Sequence, residues 1–282
     1  MDWVPRRPSA AQINRGSVQL TTKQLAGGLV CHIEGSGPPL ILFHGGMGSW
    51  THWIRNIPVL REHFTVYAPD SPGCGDSVSV PQDIPLEDYL ELVCAAVREI
   101  AAGAQVRLGA FSFGTSLASL VTLRMPQTIS KLALLAPAAL GRIAPGRAMN
   151  LRKMPGEGAS EAEKRAVLRH NLLEFMLAHP ESIDESTIDI QRHNVARTRY
   201  DSRRFSLGTH TRDALSQFRC PTMGIFGELD NFASPSIYSK VIPCRSLKKD
   251  MRLEIVPRAG HWVQYEAADA VNALLLDFFC DS

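Results

Sequence analysis

Long apolar runs are missing from this chain of 282 residues. Its longest, at residues 132–140 and 273–279, stop far short of the roughly 20 residues that a membrane-spanning helix needs. Excess charge of one sign is missing too. Thirty Lys and Arg against 28 Asp and Glu leave a net charge of +2, and the basic residues are scattered, so no nucleic-acid footprint is expected. No C-x-x-C occurs among the six cysteines, Cys31, Cys74, Cys94, Cys220, Cys244 and Cys280. They read as free thiols of a reducing cytoplasm rather than a disulfide frame or a zinc site. The opening MDWVPRRPSA carries arginines with no apolar stretch behind them and does not read as a secretory signal. Internal repeats and low-complexity tracts are absent. What remains, 45% hydrophobic and 21% charged residues, is the composition of a globular domain.

Short apolar runs alternate with helical patterns through the first half. Strands are expected at residues 18–25, 28–34, 40–43, 64–68, 106–110 and 132–135, and helices at 53–61, 86–102 and 113–124. LILF at 40–43, apolar at every position, fits a strand covered on both faces. Such alternation predicts a mostly parallel sheet flanked by helices. It stops after Pro137. From 141 to 218 only helical patterns appear, at 161–177 and 183–197, punctuated by prolines. Strands return at 221–226 and 251–256, with helices at 234–241 and 267–279. The expected organisation is therefore a core of residues 1–140 and 219–282, with a helical cap of residues 141–218 inserted after the sixth strand. Long excursions of this kind commonly cover an active site, and open α/β sheets bind ligands at their carboxyl edge.

One stretch, GAFSFGTSLASL at 109–120, sets a serine between a strand and a helix. A nucleophile on so sharp a turn takes strained backbone angles and needs small residues two positions before and after it. Ala110 and Gly114 supply them. A serine that merely caps a helix is the plain alternative. Context favours the nucleophile, because a weakly nucleophilic hydroxyl needs a base and the base needs an orienting carboxylate. Both follow in the order Ser112, Asp230, His261. Asp230 lies in GIFGELD and His261 in VPRAGHW, each just past an apolar strand and so at a carboxyl end of the sheet. Glu228 competes with Asp230 but leaves too short a turn after Gly227. For the oxyanion hole, LILFHGGMGSW ends a strand in His44-Gly45-Gly46. The expected donors are the N–H groups of Gly46 and Phe113, the latter at a helix N-terminus. His44 is taken to order the loop. Gly45, Trp50, Phe111, Arg192 and Trp262 are candidates to line the substrate pocket. Neither cofactor nor metal is expected.

With HGGMGSW, DSPGCGDS, AFSFG, GELD and AGHW in this order, the chain resembles the α/β-hydrolase superfamily over nearly its whole length. WTHWIRN (50–56) and GHWVQYE (260–266) are similar to the branch of meta-cleavage-product hydrolases, which break C–C bonds of ring-fission products. That resemblance implies a pocket between sheet and cap, with Trp262 as part of its wall. Two stretches depart from the branch: no proline follows in the oxyanion loop, and Phe113-Gly114-Thr115 stands where Met-Gly-Gly is usual. C–C hydrolysis also needs a cation for the substrate's dienolate and carboxylate. Arg192, with Arg197 and Arg199 near it, is the candidate. The expected activity is serine hydrolysis of a small to medium apolar ester, lactone or thioester. C–C hydrolysis of a vinylogous diketo acid is one alternative, and a slow-turnover ligand receptor on the same fold is another. The partners expected are a small-molecule substrate and, at most, a second copy of the chain, with no nucleic acid and no membrane.

Overall fold

A computed structural model describes residues 21–141, 149–233 and 235–281. The first three residues of the strand expected at 18–25, and Pro145 and Ser234, lie outside them. In chain order the strands are β1 (Thr21–Gln24), β2 (Val30–Glu34), β3 (Pro39–Phe43), β4 (Thr65–Pro69), β5 (Val106–Phe111), β6 (Ile129–Leu135), β7 (Thr222–Gly227) and β8 (Arg252–Val256). They form one sheet in the order β1-β2-β4-β3-β5-β6-β7-β8. β2 runs antiparallel to both its neighbours, and every pairing from β4 to β8 is parallel. This is the α/β-hydrolase architecture expected from the sequence.

The helices are α1 (Ile57–Leu60), α2 (Leu86–Ala101), α3 (Phe113–Arg124), α4 (Glu161–Phe175), α5 (Glu185–Ala196), α6 (Arg203–Ser206), α7 (His210–Leu215), α8 (Tyr238–Leu247), α9 (Val263–Glu266) and α10 (Ala268–Cys280). Strand periodicity decides which face each side chain covers. Ile41 and Phe43 of β3 join α2 and α3 in one apolar cluster, through Val93, Val97, Leu117 and Val121. Leu40 and Leu42 join α1 and α10 in the other, through Ile57, Leu60, Val271 and Leu275. Both faces of the sheet are thus covered, as its continuously apolar strands require. No helix among the described residues is long and apolar enough to cross a membrane.

Several boundaries differ from the expected ones, three of them by three residues or more. The segment expected as one helix at 53–61 is a 3₁₀ turn (Trp50–Trp53) followed by α1, whose first turn takes Pro58. β6 begins three residues earlier, because Ile129 and Lys131 still pair with β5 across a register shift at Ser130. The helix expected at 234–241 is α8, which begins only at Tyr238 and runs on through Pro243 to Leu247. Residues 149–218 contain α4 to α7 and no strand. Capping boxes open two of these helices, Ser160 with Glu163 and Asp184 with Thr187.

Candidate active site

Ser112 stands between β5 and α3 with φ 49° and ψ −117°, a left-handed conformation costly for any residue with a Cβ. The turn is tolerated because its neighbours are small. A Cβ on Gly114 would lie 2.6 Å from the His44 carbonyl oxygen and 2.8 Å from that of Phe43, both fixed backbone. Glycine there lets α3 seat itself against the end of β3.

The three expected residues meet at the carboxyl edge of the sheet. Ser112 Oγ lies 2.9 Å from His261 Nε2, and His261 Nδ1 lies 3.0 Å from Asp230 Oδ2. A carboxylate only accepts, so Nδ1 carries the proton and Nε2 is left to accept from the serine hydroxyl. Asp230 also accepts the Phe232 N–H on Oδ1 at 2.8 Å, and its side chain is fully buried. Burial alone would raise this carboxyl. The facing His261 ring, the Lys240 ammonium and the Phe232 N–H outweigh burial and hold it well below the usual carboxylate range. Glu228, the competitor, is exposed and accepts the Arg258 N–H instead.

Two loops are tied together to bring Asp230 and His261 into reach. The end of β7 passes so close to residues 259–260 that a Cβ on Gly227 would lie 2.0 Å from the Gly260 oxygen. Leu229 N–H then donates to the Ala259 carbonyl. Glu266 accepts from the N–H groups of Gly260, Ala178 and His179 and from the Ser182 hydroxyl. One carboxylate therefore binds the His261 loop to the segment after α4. The sequence reading missed Glu266 in this role, although the stretch GHWVQYE contains it.

On the other side of Ser112, the N–H groups of Gly46 and Phe113 donate to no partner among the described residues. The loop that carries Gly46 is held by buried histidines. His44 Nε2 accepts the Ser71 N–H at 2.8 Å and its Nδ1 faces the Gly45 oxygen at 2.7 Å. Burial pushes this imidazole down to about 4, so it is neutral at pH 7 and its tautomer is set by these two bonds. His52 Nδ1 accepts the Gly45 N–H at 3.1 Å. Burial, and then His44 and His261 nearby, keep His52 well below the ordinary histidine value. Asp70 completes the frame by accepting the N–H groups of Trp50 and Asp76. Cys74, in the same turn as Asp70, has its thiol pushed up to about 12 by burial and by Asp70, so it stays protonated and unreactive.

Ser112 and His261 open onto a cavity of about 680 Å³, a size suited to a small organic ligand. Its apolar wall includes Phe111, Met149, Leu151, Phe175, Met176 and Phe232, and residues 198–203 give it a polar rim. Of the five expected lining residues only Phe111 lies in this wall. Gly45 packs under the Phe111 ring, and its N–H is used by His52. Trp50 stacks on His32, with ring centroids 3.9 Å apart. Trp262 is completely buried, donates Nε1–H to the His52 carbonyl and stacks on Tyr265. Arg192 points away from the cavity, to Glu161 and Asp189 on the outer side of α4 and α5.

The cavity does contain two other arginines. Arg199 donates to the carbonyls of Gly75, Ser77 and Arg197 and to the Ser79 hydroxyl. Arg203 forms a bidentate pair with Asp201. Arg197, nearby, is paired with Asp76.

Comparison with known proteins agrees with this architecture. The pattern of the alpha/beta hydrolase family matches residues 40–274. A dihydrolipoyllysine-residue acetyltransferase component of an acetoin cleaving system from Pseudomonas putida is 29% identical over 86% of this chain, which spans 63% of that protein. A 2-hydroxy-6-oxo-6-phenylhexa-2,4-dienoate hydrolase from Burkholderia cepacia is 25% identical, over 88% of this chain and 89% of its own length. Among solved structures, a naproxen esterase from Bacillus subtilis superposes with a TM-score of 0.70 at 21% identity, covering 93% of this chain and 92% of its own.

Proposed function

The chain belongs to the alpha/beta hydrolase family, and we propose that it is a serine hydrolase cleaving a small to medium neutral, apolar ester, lactone or thioester. The observation that carries this reading is the unbroken relay from Ser112 through His261 to Asp230, opening on a largely apolar cavity. Ser112 Oγ attacks the carbonyl carbon while His261 Nε2 takes its proton. The oxyanion is met by the N–H groups of Gly46 and Phe113, neither of which donates elsewhere among the described residues. His261 then returns the proton to the leaving alcohol or thiol as the acyl-enzyme forms. Water, activated by the same ring, releases the acid. Asp230 keeps the ring in the Nδ1–H tautomer and stabilises it when it is charged. Residues 141–218 act as the cap, with Met149, Leu151, Phe175 and Met176 excluding water from the acyl group. The six cysteines, none of them bonded to another, suit a reducing compartment such as the cytoplasm.

C–C hydrolysis of a ring-fission diketo acid is the second reading, favoured by the activity named for the Burkholderia relative. The cavity speaks against it. Such a substrate brings a carboxylate and a developing dienolate, whereas Arg199 donates to four protein acceptors and Arg203 is paired with Asp201 at the exposed rim. A substrate carboxylate would compete with these contacts for the same guanidinium groups.

Measuring kcat/KM for a neutral aryl ester and for a vinylogous diketo acid tests the choice. The ester is expected to be turned over well and the diketo acid poorly. Arg192→Ala is expected to leave both within about twofold, as for other exposed surface positions. Efficient cleavage of the diketo acid, lost selectively in Arg203→Ala, would reverse the preference.

A further inference from the structure

Asp230 has a partner that a serine–histidine–aspartate relay does not require. Lys240, in the first turn of α8, places Nζ 3.1 Å from Asp230 Oδ2, the same oxygen that faces His261 Nδ1. Its side chain is only 12% exposed and the carboxylate is not exposed at all. Lysine is rarely so buried unless it is paired, and holding it there costs both hydration and side-chain entropy. Orientation of the carboxylate does not explain it, because the Phe232 N–H already fixes Oδ1. The ammonium also lies 5.8 Å from the Phe232 ring, the residue that walls the cavity beside His261.

We propose that Lys240 is a positioning residue that sets the working pH of the base, by sharing Asp230 Oδ2 with His261. The inference rests on the reading of His261 as general base. A protonated imidazole is stabilised by the carboxylate it faces. A cation on the same oxygen cancels part of that charge and repels the imidazolium directly. The same cation keeps Asp230 ionised, consistent with its depressed carboxyl. Of the groups packed around this pair, Ser112 and the rings of Phe111 and Phe232 carry no charge. His52 is kept neutral by burial, and the Cys244 thiol, one turn beyond Lys240, is pushed up to about 12 by burial. The charges acting on Asp230 are those of His261 and Lys240, and a further charged group, the Glu266 carboxylate, accepts the N–H of Gly260 beside His261.

The test is the pH dependence of kcat/KM on a neutral aryl ester for wild type, Lys240→Met, Lys240→Gln and Lys240→Arg, each checked for folding by circular dichroism. In both neutral variants the acid limb is expected to move to higher pH by about one unit, the low end for a charge at this range. The plateau rate is expected to fall less than about tenfold, since the relay itself remains. Lys240→Arg is expected to keep the wild-type limb. An unmoved limb in a folded neutral variant would overturn the proposal, as would a limb in Lys240→Arg that matches the methionine variant. Failure of both neutral variants to fold would reduce Lys240 to a structural support and overturn it as well. Ser112→Ala, measured alongside, separates the two levels. Full activity in that variant would sink the triad itself, whereas its loss beside an unmoved acid limb would sink only the role of Lys240.

Discussion

Replacing Ser112 with alanine is expected to lower kcat by about a million-fold, the scale seen when a serine nucleophile acting within a triad is lost. The substitution removes one oxygen and leaves the elbow's tight backbone otherwise intact. The backbone strain should be unchanged, since alanine keeps the Cβ, and no hydrogen bond of the fold depends on Oγ beyond the one to His261. Stability and ligand binding are therefore expected to survive. A residual rate of about 10³–10⁴ over water can persist, because the proposed oxyanion donors and the cavity are untouched. Steady-state turnover of an aryl ester, measured with a thermal melt on the same preparation, checks both halves. Substantial activity above that residue would mean that another group performs the attack.

The second large effect belongs to the acid. Asp230→Asn is expected to lower kcat by about 10⁴-fold, because an amide can offer its NH₂ to His261 Nδ1 and so favour the wrong tautomer of the ring. Lys240 makes the change more costly. An ammonium that is 12% exposed would be left beside a neutral amide, with Asp230 Oδ2 gone as its acceptor. Glu228→Gln is expected to do little, since that carboxylate is exposed and caps the Arg258 N–H. Parallel kcat measurements on the two variants decide between the carboxylates. Loss in Glu228→Gln with activity retained in Asp230→Asn would reassign the acid and show that the geometry of the β7 turn had been misjudged.

The relay was legible in the sequence because each of its members sits directly past an apolar strand. Strand ends of a parallel sheet share one edge, so chain order and small neighbours were enough to bring Ser112, Asp230 and His261 together. The loop proposed to hold the oxyanion was legible only in part: after LILF the Gly46 N–H has no partner among the described residues, while that of Gly45 goes to His52. The pocket wall was not. Nearness in sequence to a site residue says nothing about which way the next side chain points. Trp262 follows His261 directly, yet it turns into the core beneath the site and stacks on Tyr265. Trp50 likewise turns to His32.

Arg192 shows the limit for helices. A helical pattern identifies α5, but its two polar faces look alike until α4 arrives with Glu161 to claim one of them. Met149, Leu151 and Phe175, which do line the cavity, were scattered through a segment without strands and offered no spacing to read. Lys240 had no local signal either. It reaches Asp230 across the loop between β7 and α8, a contact set by how the chain returns rather than by any short motif. Glu266 was quoted within a stretch that marked a resemblance, while its four-donor cradle became visible only once the segment after α4 was placed against the His261 loop.

Covalent labelling tests the central claim most directly. A fluorophosphonate reacts with a serine that is both activated and next to an oxyanion hole, which is the arrangement assigned to Ser112. Intact mass followed by peptide mapping is expected to show one adduct per chain, on the peptide containing Ser112, and none in Ser112→Ala. An adduct on another residue, or no adduct on folded protein that turns over an aryl ester, would contradict the account.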